Sequence, residues 1–171
     1  MKKMIVVHPE KCYGCLTCVV ECAYNKAGAG AHEPLTPEIW SQARIEVEAV
    51  GNYAVPLACH HCEDAPCMAV CPTGAISRES DDAPVLLNRD LCIGCRACVL
   101  SCPFGMIKMD STGKAAQKCD LCIDRLKAGE EPVCVTSCPM GALEFKSVEE
   151  VREESAKKAA EEALAALESE T

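Results

Sequence analysis

Sixteen cysteines among 171 residues are the side chains of this sequence best able to do chemistry. In chain order they form four quartets. Cys12, Cys15, Cys18 and Cys22 are spaced C-x2-C-x2-C-x3-C, and Cys92, Cys95, Cys98 and Cys102 repeat that spacing unmodified. Cys59, Cys62, Cys67 and Cys71 open it to C-x2-C-x4-C-x3-C, and Cys119, Cys122, Cys134 and Cys138 place eleven residues between their second and third members. No cysteine is left over. Thiols in such number serve as disulfides, as zinc ligands or as iron–sulfur ligands. A disulfide scaffold belongs to an oxidising compartment and usually follows a signal peptide. The N-terminal MKKMIVVHPEKC has only four consecutive apolar residues, Met4 to Val7, and no twin arginine. A zinc site is tetrahedral and is usually built from two widely separated C-x2-C knuckles. Cysteines at i, i+3 and i+6 instead wrap one loop around a cluster and give a thiolate to each of three irons. The fourth cysteine, followed by proline, ligates the neighbouring cluster. The spacing therefore points to one-electron chemistry on iron–sulfur clusters.

The elements that must hold those loops repeat with them. PTGAI (72–76), PFGMI (103–107) and PMGAL (139–143) follow the fourth cysteine of quartets two, three and four. Proline ends the cysteine loop, glycine permits a tight turn, and an apolar residue enters a short segment beside the cluster. After Cys22 the sequence runs instead into Ala23-Tyr24-Asn25 and an insertion over 23–58. Within the insertion the alternation of Arg44 to Val50 predicts a half-buried strand, and Gly51-Asn52 a turn into Tyr53-Ala54-Val55, hence a hairpin. A short strand is expected at Val85-Leu86-Leu87, and a solvated loop over 123–133. Ser147-Val148-Glu149-Glu150 reads as a capping box. It opens an alanine-rich helix to about Glu168, with a weak apolar stripe of Val148, Val151, Ala159, Ala163 and Ala166. His60 and His61 lie inside an already complete quartet and are expected beside the metal or at the surface.

Composition narrows the function classes. Aromatic residues make up 4% of the chain, so an ordinary aromatic-anchored core is excluded and the clusters with their loops are expected to be the interior. The formal net charge is −9. Residues 147–171 carry eight glutamates against Arg152, Lys157 and Lys158, a net −5, which leaves −4 on the body. An acidic chain of this kind lacks the basic face that nucleic acid or an anionic membrane requires. No apolar stretch reaches the 18 or so residues of a membrane span, so a soluble, cytoplasmic protein is expected. The glycines of the insertion match no nucleotide-binding fingerprint. No spare cysteine, base–nucleophile pair or cofactor loop makes a catalytic constellation.

Four segments, CYGCLTCVVEC, CHHCEDAPCMAVCPTGAI, CIGCRACVLSCPFGMI and KCDLCIDRLKAGEEPVCVTSCPMGAL, give residues 4–146 a resemblance to a known family. It is the four-cluster ferredoxin-like electron-transfer subunits of anaerobic oxidoreductases. That family includes the small subunits of dimethyl sulfoxide reductase-type molybdoenzymes, formate dehydrogenases and formate hydrogenlyase. In size and simplicity the chain is most similar to the soluble partners of carbon monoxide dehydrogenase and of tungsten aldehyde oxidoreductase. Some relatives place Trp at the second cysteine of the third quartet and hold a [3Fe–4S] centre. Cys95 stands there in this sequence, so the resemblance implies four [4Fe–4S] clusters.

Quartets two and three look like one contiguous bacterial ferredoxin, with 20 residues between Cys71 and Cys92. Pairing one with two and three with four would have to fold across the 36 residues between Cys22 and Cys59. Loop geometry and the resemblance together favour nesting. Cys12, Cys15, Cys18 and Cys138 then hold one cluster, and Cys119, Cys122, Cys134 and Cys22 its neighbour. Cys59, Cys62, Cys67 and Cys102 hold a third, and Cys92, Cys95, Cys98 and Cys71 the fourth. The expected fold is α+β, two nested bacterial-ferredoxin-like units of short hairpins and short helices. Unit one is 1–22 plus 108–146 and unit two 59–107, with an inserted hairpin in 23–58 and an acidic C-terminal helix or tail at 147–171. The function implied is a non-catalytic electron-transfer subunit. Its expected partners are a large catalytic metalloenzyme subunit, with tungsten or molybdenum aldehyde oxidoreductase or carbon monoxide dehydrogenase favoured, and a second redox partner such as a flavin subunit, ferredoxin or hydrogenase. The alternatives are a free, diffusing polyferredoxin and a regulatory or structural iron–sulfur protein.

Overall fold

A computed structural model describes residues 3–30 and 32–169. In chain order the elements are β1 (Lys3–Val7), α1 (Thr17–Ala27), α2 (Pro37–Trp40), β2 (Glu46–Val50), β3 (Tyr53–Leu57), α3 (Pro66–Ala69), β4 (Ile76–Ser77), β5 (Leu86–Leu87), α4 (Ala97–Ser101), β6 (Ile107–Met109), β7 (Ala116–Lys118), α5 (Ile123–Lys127), α6 (Val133–Thr136), β8 (Leu143–Ser147) and α7 (Val148–Ser169). All pairing is antiparallel and two-stranded: β1 with β8, β2 with β3, β4 with β5, and β6 with β7. This is the α+β arrangement of short hairpins and short helices expected from the sequence, inserted hairpin and C-terminal helix included.

The β1–β8 pair runs from Lys3↔Ser147 to Val7↔Leu143 and ties the first quartet to the end of the fourth. Helix α1, which carries Cys18 and Cys22, packs on α6, which carries Cys134. One core gathers Cys18, Val19, Cys22 and Ala23 with Ala43, Ile45 and Ala58 of the insertion and Cys134 and Leu143 of the last quartet. A second gathers Ala65, Ile76, Val85, Cys98, Ile107 and Ala116, with thiols of quartets two and three packed against it. Both are built from aliphatic side chains and thiols without aromatic rings, and among the described residues the largest fully buried side chains are Val85 and Pro132.

In the insertion, Val50 pairs with Tyr53 across Gly51-Asn52, as the alternation and turn residues predict. Gly51 takes φ +59°, open to glycine without strain. Helix α2 precedes the hairpin, with the Thr36 hydroxyl accepting from Ile39 N at 3.3 Å and Pro37 at its first turn. The loop expected over 123–133 is in part helix: Ile123–Lys127 forms α5. Cys122, in the left-handed region at φ +50°, turns the chain into it, a conformation that no residue type there announced.

The capping box at Ser147 forms in full. Glu150 N donates to Ser147 Oγ at 3.2 Å and Ser147 N to the Glu150 carboxylate at 2.7 Å. Of the stripe expected on α7, Val151 is half-buried, while Val148, Ala159, Ala163 and Ala166 are exposed. No helix among the described residues is long and apolar enough to cross a membrane.

Candidate metal centres

Three recesses in the structure are each lined by four cysteines. Cys59, Cys62, Cys67 and Cys102 surround one, beneath His60, Phe104 and Ile107. Cys71, Cys92, Cys95 and Cys98 surround another, with Ile76, Leu87 and Ala116 in its wall. Cys12, Cys15, Cys18 and Cys138 surround a third, closed by Val47 and Pro56 of the inserted hairpin. In each, one thiol comes from a different quartet than the other three.

The remaining four, Cys22, Cys119, Cys122 and Cys134, lie deeper, and Cys22, Cys122 and Cys134 are buried. They lie close enough to act on one another. Burial pushes the Cys134 thiol up, and Cys119, Cys22 and Cys122 push it further. Burial likewise raises Cys119 to about 12, and raises Cys18 to about 11 with Cys138, Cys12 and Cys15 adding to the effect. Thiols held this close and this dry are stable as thiolates only with cations among them. Among the described residues no three His, Cys, Asp or Glu side chains close on the position of one metal ion. The thiols stand around recesses instead, and the set of sulfurs fits a multi-iron group better than a single zinc.

The backbone explains how the loops present their sulfurs. In quartet one Gly14 and Leu16 take φ +69° and +61°, and in quartet three Gly94 and Arg96 take +69° and +64°. Alternating left-handed residues turn successive N–H groups inward, the arrangement of an anion nest. Further N–H groups reach sulfur directly. Arg44 N donates to Cys22 Sγ at 3.2 Å, Ala116 N to Cys92 at 3.4 Å, Leu121 N to Cys119 at 3.3 Å and Ala142 N to Cys138 at 3.2 Å. Hydrogen bonds to sulfur raise the reduction potential of an iron–sulfur cluster.

His60 stacks on Phe104 at 4.0 Å and 15°, and so joins quartet two to quartet three over the first recess. His61 is buried. The sequence reading missed Arg44, whose amide reaches across 22 residues from the insertion, and Lys118, a buried lysine beside Cys119. No spacing rule marks either, because their roles come from distant segments meeting.

Four-thiol recesses, inward amides and a cysteine-filled interior define an iron–sulfur electron-transfer protein. The model of the family described as 4Fe-4S dicluster domain matches residues 50–148, and the chain belongs to that family. It is 40% identical over 154 residues to YsaA of Escherichia coli (strain K12), a protein named for electron transport, across 89% of this chain and 94% of that one. It is 36% identical over 160 residues to the B subunit of the anaerobic dimethyl sulfoxide reductase of the same organism, across 85% and 74%. With the thiosulfate reductase electron transfer subunit PhsB of Salmonella typhi it shares 36% over 156 residues, across 85% and 77%.

Proposed function

We propose that the chain is the electron-transfer subunit of a multi-subunit oxidoreductase, non-catalytic itself. It relays single electrons through four [4Fe–4S] clusters between a catalytic metallo-subunit and a second redox subunit or carrier. Each cluster, when bound, accepts and returns one electron without exchanging ligands. The observation that carries the reading is the gathering of the sixteen thiols into four sets, each with one member from a second quartet. We assign each set as the ligands of one cluster, in two nested units, 1–22 plus 108–146 and 59–107.

The residues that join the sets support a linear order. Cys18 of the outer set acts on Cys134 of the buried set. Cys59 of the third set acts electrostatically on Cys119 of the buried set. Helices α3 and α4 pack together and bring Cys67 beside the fourth set. Cys15 and Cys95, at the two ends of that order, are the exposed thiols, where partners gain access. The resemblance favours a tungsten or molybdenum aldehyde oxidoreductase or carbon monoxide dehydrogenase as catalytic partner. The relatives named for dimethyl sulfoxide and thiosulfate reductases support a place in a multi-subunit reductase or oxidoreductase. Anaerobic native purification tests the reading. About sixteen irons per chain and a co-purifying catalytic metallo-subunit are expected. An isolated monomer would point to a diffusing polyferredoxin instead, and a smaller iron content would reject four clusters.

A further inference from the structure

Lysine is almost never fully buried unless a compensating charge is near. Among the described residues Lys118 is the only buried lysine or arginine, with 5% of its surface exposed. Its ammonium donates to the carbonyl of Val85 and, at 2.8 Å, to that of Cys119. Carbonyl oxygens satisfy its hydrogen bonds but do not neutralise its charge. Lys26 is the contrast, since Asp120 answers its ammonium at 2.7 Å.

Sulfur faces Lys118 from both sides. Its side chain lines the recess of Cys59, Cys62, Cys67 and Cys102. On the other side its own strand, β7, leads directly into Cys119 of the buried set. Lys118 and Cys67 line the same recess, and the Lys118 ammonium bonds the Cys119 carbonyl at 2.8 Å, so its charge lies against both sets. Cys59 in turn is close enough to Cys119 to act on it across the same boundary. The ammonium therefore sits where one four-thiol set gives way to the next, and where the two halves of the chain meet.

We propose that Lys118 is a fixed positive charge between two adjacent iron–sulfur clusters, and that it raises the reduction potential of both. One cluster is that of Cys59, Cys62, Cys67 and Cys102, the other that of Cys22, Cys119, Cys122 and Cys134. The proposal rests on the cluster assignment above; the iron content of the unsubstituted chain checks the number of clusters independently, and the signals altered in the Cys15 and Cys138 variants check the ligand partition. When an electron crosses the junction, one cluster loses it and the other gains it, and no proton moves. The ammonium stays anchored on the Val85 and Cys119 carbonyls. Because it faces both sides, it stabilises the electron before and after the step and keeps the two levels matched. A charge on one side only would favour that side. Arg44 is such a one-sided cation, since it lies beside Cys22 and Cys119 and bonds to Gln117 Oε1 at 2.8 Å.

Redox titration followed by electron paramagnetic resonance, on the anaerobically purified full chain, tests this. Lys118→Met keeps the length of the side chain and removes its charge, Lys118→Gln keeps a donor without charge, and Lys118→Arg keeps the charge. At the potential where the unsubstituted cluster is half-reduced, Met and Gln should each lower the reduced-to-oxidised ratio of two of the four signals by about tenfold. For a one-electron couple that is about 59 mV. Arg should restore both signals, and Arg44→Met should move only one. Four signals shifting together, a single signal shifting with Lys118→Met, or no shift would overturn the proposal. So would loss of iron from both uncharged variants, because Lys118 would then be holding structure rather than setting potentials.

Discussion

Gly14 and Gly94 occupy the same place in two copies of one loop, between the first and second cysteines, and both have φ +69°. Their surroundings differ. A Cβ at Gly14 would meet the Ala54 Cβ at 3.1 Å, a methyl on the inserted hairpin that can give by a few tenths of an ångström. A Cβ at Gly94 would meet the backbone oxygen of Lys114 at 2.5 Å and its carbonyl carbon at 3.2 Å. That backbone cannot yield freely, because two residues on Ala116 N bonds Cys92 Sγ. Alanine at either site carries the left-handed cost of about 1–2 kcal/mol. At Gly94 the overpacking adds about 1–3 kcal/mol, for a total of roughly 2–5 kcal/mol. Because cluster loss makes unfolding irreversible, the working measure is a rate. The anaerobic bleaching of visible absorbance in guanidinium should be roughly 5- to 150-fold faster for Gly94→Ala than for Gly14→Ala, if the extra cost falls on the barrier. Asparagine, which tolerates the left-handed region, separates the two costs. Gly14→Asn should return close to the unsubstituted rate, while Gly94→Asn should stay fast because the clash remains. Equal rates for the two alanine variants, or equal rescue by asparagine, would refute the reasoning.

Replacing Cys138 by alanine should perturb the same paramagnetic signal as replacing Cys15, and a match with the Cys122 variant would reject the exchange of fourth ligands. Burial alone would raise the Asp120 carboxyl, but its bond to Lys26 outweighs that and holds it below the ordinary carboxylate range. Asp120→Asn, which leaves Lys26 with a part-buried unpaired charge, should destabilise the chain by about 1–3 kcal/mol, read as faster anaerobic bleaching in guanidinium; an unchanged rate removes the claim. The Lys146 ammonium, with His8 assisting, holds Glu144 down from 4.5 to about 2. A lowered carboxyl stabilises the fold above its ordinary value and ceases to do so as pH falls through the folded one. Unfolding followed by circular dichroism should therefore accelerate less steeply between pH 4.5 and 2 in Glu144→Gln than in the unsubstituted chain, and parallel profiles would count against it.

How much of this was legible beforehand depends on whether the cause is local. The cysteine loops are local devices, with glycine and proline placed where the backbone turns, and the inserted hairpin announced itself by alternation and by Gly51-Asn52. Helix α2 carried a readable start as well, since Thr36-Pro37-Glu38 is a cap, a first-turn proline and a first-turn acid; only its brevity hid it. Helix α5 was illegible for a different reason. It begins because Cys122 is forced into the left-handed region, where Leu121 also stands at φ +56°, and neither is a residue type that favours it. The Arg44–Cys22 hydrogen bond, the His60–Phe104 stack and the burial of Lys118 all join segments far apart in sequence. Such meetings are set by packing between distant segments, and the spacing of the thiols does not say what else leans on them.

The distribution of exposure along the four thiol sets bears on what the fold is for. A protein that only stored iron would have no reason to treat its sets differently. Here the buried set has three members fully enclosed, Cys22, Cys122 and Cys134, whereas each terminal set exposes its second cysteine, Cys15 or Cys95. Beside those cysteines stand large apolar side chains left in water: Tyr13 at 80% and Met140 at 43% at one end, and Ile93 at 65% and Leu91 at 49% at the other. No thiol of the two middle sets is exposed, and in the order proposed above this shields the junctions between them from solvent. In the order proposed above, that exposure leaves Cys15 and Cys95 open to a partner, and the apolar side chains around them form surfaces that gain by being covered. The acidic helix α7 lies outside both cores and touches chiefly β8. Its propensity and its capping box hold it as a helix without help from the thiol sets.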